Sequence, residues 1–358
     1  MPPPTPAQQI KFLTNLQRLL AEGSFTATYK YALLAALADL SVEHGDDSGE
    51  PLVFSLFAIA EKLVEYYWRH ATPYAGGQET RVLQQSTGSQ ARIIRLVSEA
   101  RQSHGVSLAS MMRLPGAWNA LVRSVVPTLR EQPLWRLQVV GLETLDFLYG
   151  RSGTKDIELR HGIAYCFRQF FTLVQDLVRA AWLRDVRRLN GEFIGEPTDL
   201  RDFLFGAERS ALTAAKPVLM ELQDGRCFYC AGALIEVRAE VDHFIPWSRY
   251  PADLVHNLVL ADRRCNSKKR DRIAHADHLD RWTDRNRRDG DGLASAMAGR
   301  VVCDLKSANS VAYWSYAQTE DAKGLTWMHG DILGPLSPAW RNAFPDSANE
   351  GIVGNASS

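Results

Sequence analysis

Residues 227–271 read CFYCAGALIEVRAEVDHFIPWSRYPADLVHNLVLADRRCNSKKRD. Three of the five cysteines in the chain fall here, with an Asp-His pair, two asparagines and a run of positive charge. In RAEVDHFIP the pattern turns on Val241, Phe244 and Ile245, and Pro246 ends it, so a strand is expected. WSRYPADLVH, with Pro251 inside it, predicts a loop, and NLVLA a second short strand. Asp262 is a capping residue in front of the helix formers of DRRCNSKKRDR, which predicts a helix. Two strands joined by a loop and followed by a helix make a compact ββα unit. Such a unit is too small to bury a large core, and a zinc ion is one ordinary way to hold it together.

The polar residues of this unit have a chemistry of their own. Asp242 and His243 are neighbours on a strand and so point to opposite sides, one toward a metal and the other toward a water. A histidine with an ordinary pKa near 6.5 suits a general base. Asp242 offers a hard oxygen for Mg2+ or Mn2+, and Asn266, early in the helix, a second and neutral oxygen. One carboxylate and one amide leave positions open for water and phosphate oxygens, as phosphodiester hydrolysis wants. Lys268, Lys269 and Arg270 can then bind flanking phosphates. From Arg263 and Arg264 to Arg288 there are ten Lys/Arg against four Asp/Glu. The whole chain balances 41 Lys+Arg against 41 Asp+Glu, so any electrostatic footprint for a polyanion has to be local. The plain alternative for that run is a solvated helix face.

The order Cys-x2-Cys, VDHFIPWSR, NLVLADRRCNSKK resembles the HNH (ββα-metal) nucleases over about residues 221–272. The resemblance implies that His243 activates water and that Asp242 and Asn266 hold the catalytic ion. It also implies that Asn257, the central N, shapes the loop and helps orient the base, and that Lys269 contacts phosphate. Products would carry a 5′ phosphate and a 3′ hydroxyl. Many zinc-bearing members have two Cys-x2-Cys pairs. Here Cys227 and Cys230 form the first; in the second Cys265 is present, and Asp262 stands where the other cysteine would be. A Cys3Asp zinc site, a site completed by His256 or His275, and a metal-free fold with buried cysteines all remain open. The flanks, TYKYALLAALADL, YYW, RAAWLRDVRRLN and HLDRW, bear a fainter resemblance to bacterial restriction or defence HNH proteins with a helical N-terminal region.

Outside this stretch the reading is coarser. With 358 residues and 46% hydrophobic content the chain is long enough for more than one domain. Five scattered and clustered cysteines do not make a disulfide scaffold. The start MPPPTPAQQI lacks the pattern of a secretory leader, and no apolar run reaches ~18 residues, so a cytoplasmic protein without a membrane span is expected. Helical periodicity marks residues 7–21, 28–43 with Thr26 or Thr28 as cap, 55–70, 89–105, 163–190 and 208–223. Tyr66, Tyr67 and Trp68 read as core rather than as a base-stacking platform. Residues 133–150 look partly extended, 191–206 make a boundary, HLDRW a short helix, 285–292 a polar break, and SANEGIVGNASS a disordered tail.

The fold class expected is α+β, mostly helical. A helical targeting, sensing or oligomerisation domain (1–200) precedes an HNH nuclease domain (206–280) and a mixed extension (281–358). The expected function is metal-dependent cleavage of DNA, most readily double-stranded. A homodimer would supply the two cuts of a double-strand break, and a regulatory partner or ligand would restrain it. The competing readings are an RNA-cutting enzyme and a zinc-stabilised nucleic-acid-binding module without catalysis. The second would be expected to lose His243 or Asp242, and both are present.

Overall fold

In a computed structural model of the chain, the described residues are 2–344 apart from 24–25, 76–79, 106, 151–154 and 195–198. The tail SANEGIVGNASS lies outside them. The chain divides into two compact units, Met1–Gly206 and Ala207–Ser358.

The first unit contains helices α1 (Pro6–Glu22), α2 (Tyr29–His44), α3 (Leu56–His70), α4 (Arg92–His104), α5 (Leu108–Met112), α6 (Pro115–Glu131), α7 (Pro133–Arg136), α8 (Ile163–Gln169), α9 (Phe171–Ile194) and α10 (Leu200–Phe205). Its strands are short: β1 (Leu52–Ser55), β2 (Pro73–Tyr74), β3 (Arg81–Val82), β4 (Val139–Val140), β5 (Glu143–Thr144), β6 (Tyr149–Gly150) and β7 (Asp156–Leu159). Strands β1, β7 and β6 pair antiparallel in that order.

Every residue of α2 from Tyr29 to Glu43 except Asp39 is buried. A mostly apolar helix buried on all sides belongs in the middle of a unit, and that is where α2 lies, with α3, α8 and α9 packed around it. Thr28 precedes α2 without capping it, because its hydroxyl is spent on Tyr67 Oη (2.6 Å) and Gln85 Oε1 (2.8 Å). The run 163–190 is two helices rather than one, interrupted at Phe170. Tyr67 and Trp68 are core residues, and Tyr66 is half-buried with its hydroxyl on Asp39 Oδ2 (2.5 Å).

The second unit comprises α11 (Arg209–Leu222), β8 (Ala239–His243), β9 (Leu258–Asp262), α12 (Arg263–Lys269), α13 (Ala276–Ala296), α14 (Leu305–Asp321), β10 (Leu325–His329) and β11 (Ile332–Pro335). Strands β8 and β9 pair antiparallel from Ala239↔Asp262 to His243↔Leu258. Helix α12 starts where β9 stops, and the Asp262 side chain caps it by accepting from Arg264 N (2.8 Å). On the other side α11 lays Ala211, Ala215 and Leu219 against Ala239, Leu258 and Leu260 in the core of the unit. Burying a leucine of this kind contributes about 1.5–3 kcal/mol.

Helix α13 corrects the sequence reading. It runs unbroken through 285–292, and a boundary between residues 280 and 281 falls inside it. The helix continues because Leu279, Trp282, Asn286, Gly290 and Leu293 recur on one buried face. Arg285 belongs to that buried set too. Its guanidinium donates to Leu258 O (2.9 Å) and His256 O (2.7 Å), tying α13 to the start of β9. The His256 ring packs over Gly290 of α13.

His278 on α13 stacks on Trp327 of β10 (5.4 Å between ring centres) and meets the edge of Tyr229. Its Nε2 donates to Met328 O (2.6 Å) and its Nδ1 accepts from Arg281, the pattern of a neutral ring. Burial, with the Arg281 guanidinium beside it, pushes His278 down from 6.5 to about 4. A depressed folded-state pKa gives stability that is present above about 6.5 and lost as pH falls through about 4. As pH falls over that interval, the unfolding free energy measured in urea should therefore drop by about 3 kcal/mol more in wild type than in His278→Phe.

Candidate active site and thiol cluster

Period-2 alternation along β8 puts Glu240 and Asp242 on one face and His243 on the other. On α12, Asn266 and Lys269 are three residues apart and share a face. These two faces meet. Lys269 Nζ lies 2.9 Å from Asp242 Oδ2, and Asn266 Nδ2 donates to Glu240 Oε2 (2.9 Å). Asp242 Oδ2 also accepts from Tyr229 Oη (2.5 Å), and Lys269 Nζ donates to the main-chain oxygen of His243 (2.9 Å). Burial, then the Asp242 charge, holds the Tyr229 phenol well above its ordinary pKa, so it stays a donor.

His243 looks the other way. Its Nε2 sits 2.9 Å from Asp253 Oδ1, and Trp247 lies beside the ring (5.2 Å between centres). Asp253 is itself held, since its Oδ2 accepts from Glu208 N (2.8 Å). Asn257 does not bond to the imidazole. Its amide makes a closed pair with the backbone of Ile245, Oδ1 to N (2.8 Å) and Nδ2 to O (2.9 Å). Asn257 therefore shapes the turn after β8, and the group that bonds the ring is Asp253, which sequence reasoning missed. No motif marks Asp253; it is one acidic residue in a Pro-containing loop, brought to His243 by the way Asn257 folds that loop.

The basic residues separate into two kinds. Lys269 is completely buried, so its ammonium cannot reach a phosphate; its charge is consumed by Asp242. This overturns the phosphate contact expected of it. Arg263, Arg264 and Arg270 are exposed and Lys268 partly so. Arg263 Nε donates to Glu240 Oε1 (2.7 Å), and Lys268 Nζ is paired with Asp331 (2.6 Å) on the β10–β11 turn.

Asp242 and Asn266 lie on the same strand–helix seam, and among the described residues Oδ1 of each has no hydrogen-bond partner. A carboxylate oxygen and an amide oxygen are the donors a hard divalent ion takes, so these residues fit one.

The three cysteines also converge. Their Sγ atoms lie within 4.8 Å of one another, with Cys227 buried, Cys265 half-buried and Cys230 exposed. Asp262 N points at Cys227 Sγ (3.3 Å). Burial alone would raise the Cys230 thiol, but hydrogen bonds from the Gly232 backbone and from Cys227 and Cys265 outweigh it and lower the pKa. Cys265 is pushed up, by burial first and then by Cys227 and Cys230. Soft thiolates so disposed are compatible with a metal site. Among the described residues no fourth acid, histidine or cysteine joins them. Asp262, expected as a possible fourth ligand, caps α12 through one carboxylate oxygen and does not lie within the thiol group. His256 turns to Gly290 O (3.3 Å), and His275 caps α13 through Asp277 N.

Comparison with known families agrees with this geometry. Residues 229–275 match the HNH endonuclease family model, which spans the knuckle after Cys227, β8, β9 and α12. Residues 9–134, in the first unit, match a model for a domain of unknown function. No match is found among curated proteins or among solved structures.

Lys269→Met should lower the stability of the second unit by about 3–5 kcal/mol, because it leaves Asp242 buried without its counter-charge. A fall in the urea midpoint would register this. A variant as stable as wild type would return Lys269 to the phosphate role.

Proposed function

We propose that this chain is a metal-dependent HNH endonuclease that hydrolyses phosphodiester bonds of DNA, with His243 as general base. The observation that carries the reading is the His243–Asp253 pair beside the Asp242–Asn266 seam. An ionised carboxylate only accepts, so in the neutral ring Nε2 carries the hydrogen toward Asp253. That leaves the lone pair on Nδ1, which has no hydrogen-bond partner among the described residues. Nδ1 takes a proton from water as the water oxygen attacks phosphorus, and Asp253 stabilises the imidazolium that forms. The bond from phosphorus to the 3′ oxygen breaks, leaving a 5′ phosphate and a 3′ hydroxyl protonated from solvent. Asp242 and Asn266 would hold Mg2+ or Mn2+, which supplies positive charge at the scissile phosphate and the leaving oxygen. Arg264 on α12 and Arg270 just past its end, both exposed, supply contacts to flanking phosphates.

The thiols Cys227, Cys230 and Cys265 would hold a structural zinc that closes the knuckle against α12. Because one such site cuts one strand, two copies of the chain would make a double-strand break. A restriction or anti-phage role rests on the resemblance of the helical flanks. No helix among the described residues is long and apolar enough to cross a membrane.

Purified full-length chain with Mg2+ or Mn2+ should nick or linearise supercoiled plasmid, and EDTA should stop it. His243→Ala should lower the rate by about 10²–10⁴-fold, with Asp253→Asn between it and wild type. Undiminished cleavage by His243→Ala would remove the assigned base. Cleavage of RNA alone, or DNA binding without cleavage, would instead favour one of the two competing readings. Elemental analysis should find stoichiometric zinc in the wild-type chain and little in Cys227→Ser. Zinc retained in that variant would dismiss the thiol cluster as its site.

A further inference from the structure

Glu240 lies two residues before Asp242 on the same face of β8. Its carboxylate has both oxygens engaged: Oε1 accepts from Arg263 Nε (2.7 Å) and Oε2 from Asn266 Nδ2 (2.9 Å). A carboxylate has no hydrogen to give, so the atom of the Asn266 amide that faces Glu240 has to be the nitrogen. The amide oxygen therefore points away from Glu240, and among the described residues it has no hydrogen-bond partner. Without Glu240 the amide could turn over and present its NH2 group to a cation.

We infer that Glu240 is a positioning residue for metal binding, fixing the Asn266 amide so that its oxygen faces the ion held by Asp242. The inference rests on the reading of Asp242 and Asn266 as ligands. Arg263 completes the chain of contacts by holding the Glu240 carboxylate against the helix. Its side chain is 62% exposed and can swing into solvent when Glu240 is changed. The residue that completes the amide site thus comes from the strand, two residues ahead of the Asp-His pair.

The test is Mn2+ affinity of the full-length chain, measured by calorimetry or by the loss of the free-ion electron spin resonance signal. Asp242→Ala provides the background, and thermal unfolding checks that each variant folds. Glu240→Ala should weaken Mn2+ binding about 10–100-fold, the range for residues that orient a ligand. Glu240→Gln keeps an acceptor oxygen for Asn266 Nδ2 and should restore most of that loss. In an Asn266→Ala background Glu240→Ala should have no further effect, since the residue acts only through the amide. Equal losses in Glu240→Gln and Glu240→Ala would make Glu240 a source of field or a ligand, and so overturn a positioning role. Additive losses with Asn266→Ala would do the same. Glu240→Ala binding as tightly as wild type, while Asp242→Ala does not bind, would sink this inference alone. Wild type binding no better than Asp242→Ala would sink the ligand assignment as well.

Discussion

The buried pair of Lys269 and Asp242 is the interaction on which the rest of the second unit depends. Taking two charges out of water costs several kcal/mol each, and attraction alone seldom recovers that. Here each charge has further partners: Tyr229 Oη for the carboxylate, and the His243 carbonyl for the ammonium. Satisfied in this way, the pair does more than stabilise. It fixes the rotation and register of α12 against β8, and so sets Asn266, one turn earlier, opposite Glu240. Tyr229 lies between Cys227 and Cys230, so the same carboxylate also anchors the thiol knuckle. Strand, helix and knuckle meet at a single buried carboxylate.

That arrangement explains how the sequence reads and misreads. The ββα order is legible because its signals are local: a Pro after the first strand, a capping Asp before the helix, short apolar runs between. Asn266 and the three cysteines stand out through their order along the chain and the family resemblance it carries. Burial of a charge is not. Lys269 stands between Lys268 and Arg270, and nothing in KKR says which ammonium turns inward. Only the contact with β8, distant in sequence, decides it. Asp253 is hidden for the same reason, since its meeting with His243 is made by the fold of a loop.

The continuity of α13 shows a second kind of limit. Two glycines and alternating charges make 285–292 look like a break. The helical spacing is present, yet its members include Arg285, Asn286 and Gly290, which a polarity pattern counts as solvent-facing. Arg285 is buried because its guanidinium satisfies two carbonyls at the start of β9, and Gly290 because a ring packs on it. In the first unit α2 shows the opposite: TYKYALLAALADL is legible as a helix from its run of apolar residues, while the burial of Lys30 and Glu43 in the same helix is not.

The pleat of β8 imposes a condition on any reaction at this site. Adjacent residues on a strand diverge, so a base at His243 and a ligand at Asp242 act on one phosphate only if that phosphate lies at the end of the strand. His243 is the last residue of β8, where the chain turns away through Phe244 and Ile245. The turn is held by Phe244 N to Asn257 O (2.8 Å) and by the Asn257 amide on Ile245. His243 itself is gripped twice, by Lys269 at its carbonyl and by Asp253 at its ring. The first contact ties its backbone to the face that carries Asp242, and the second holds its ring on the opposite face. On the proposed reading, a strand end held from both sides would let one short segment serve a proton acceptor and a cation at once.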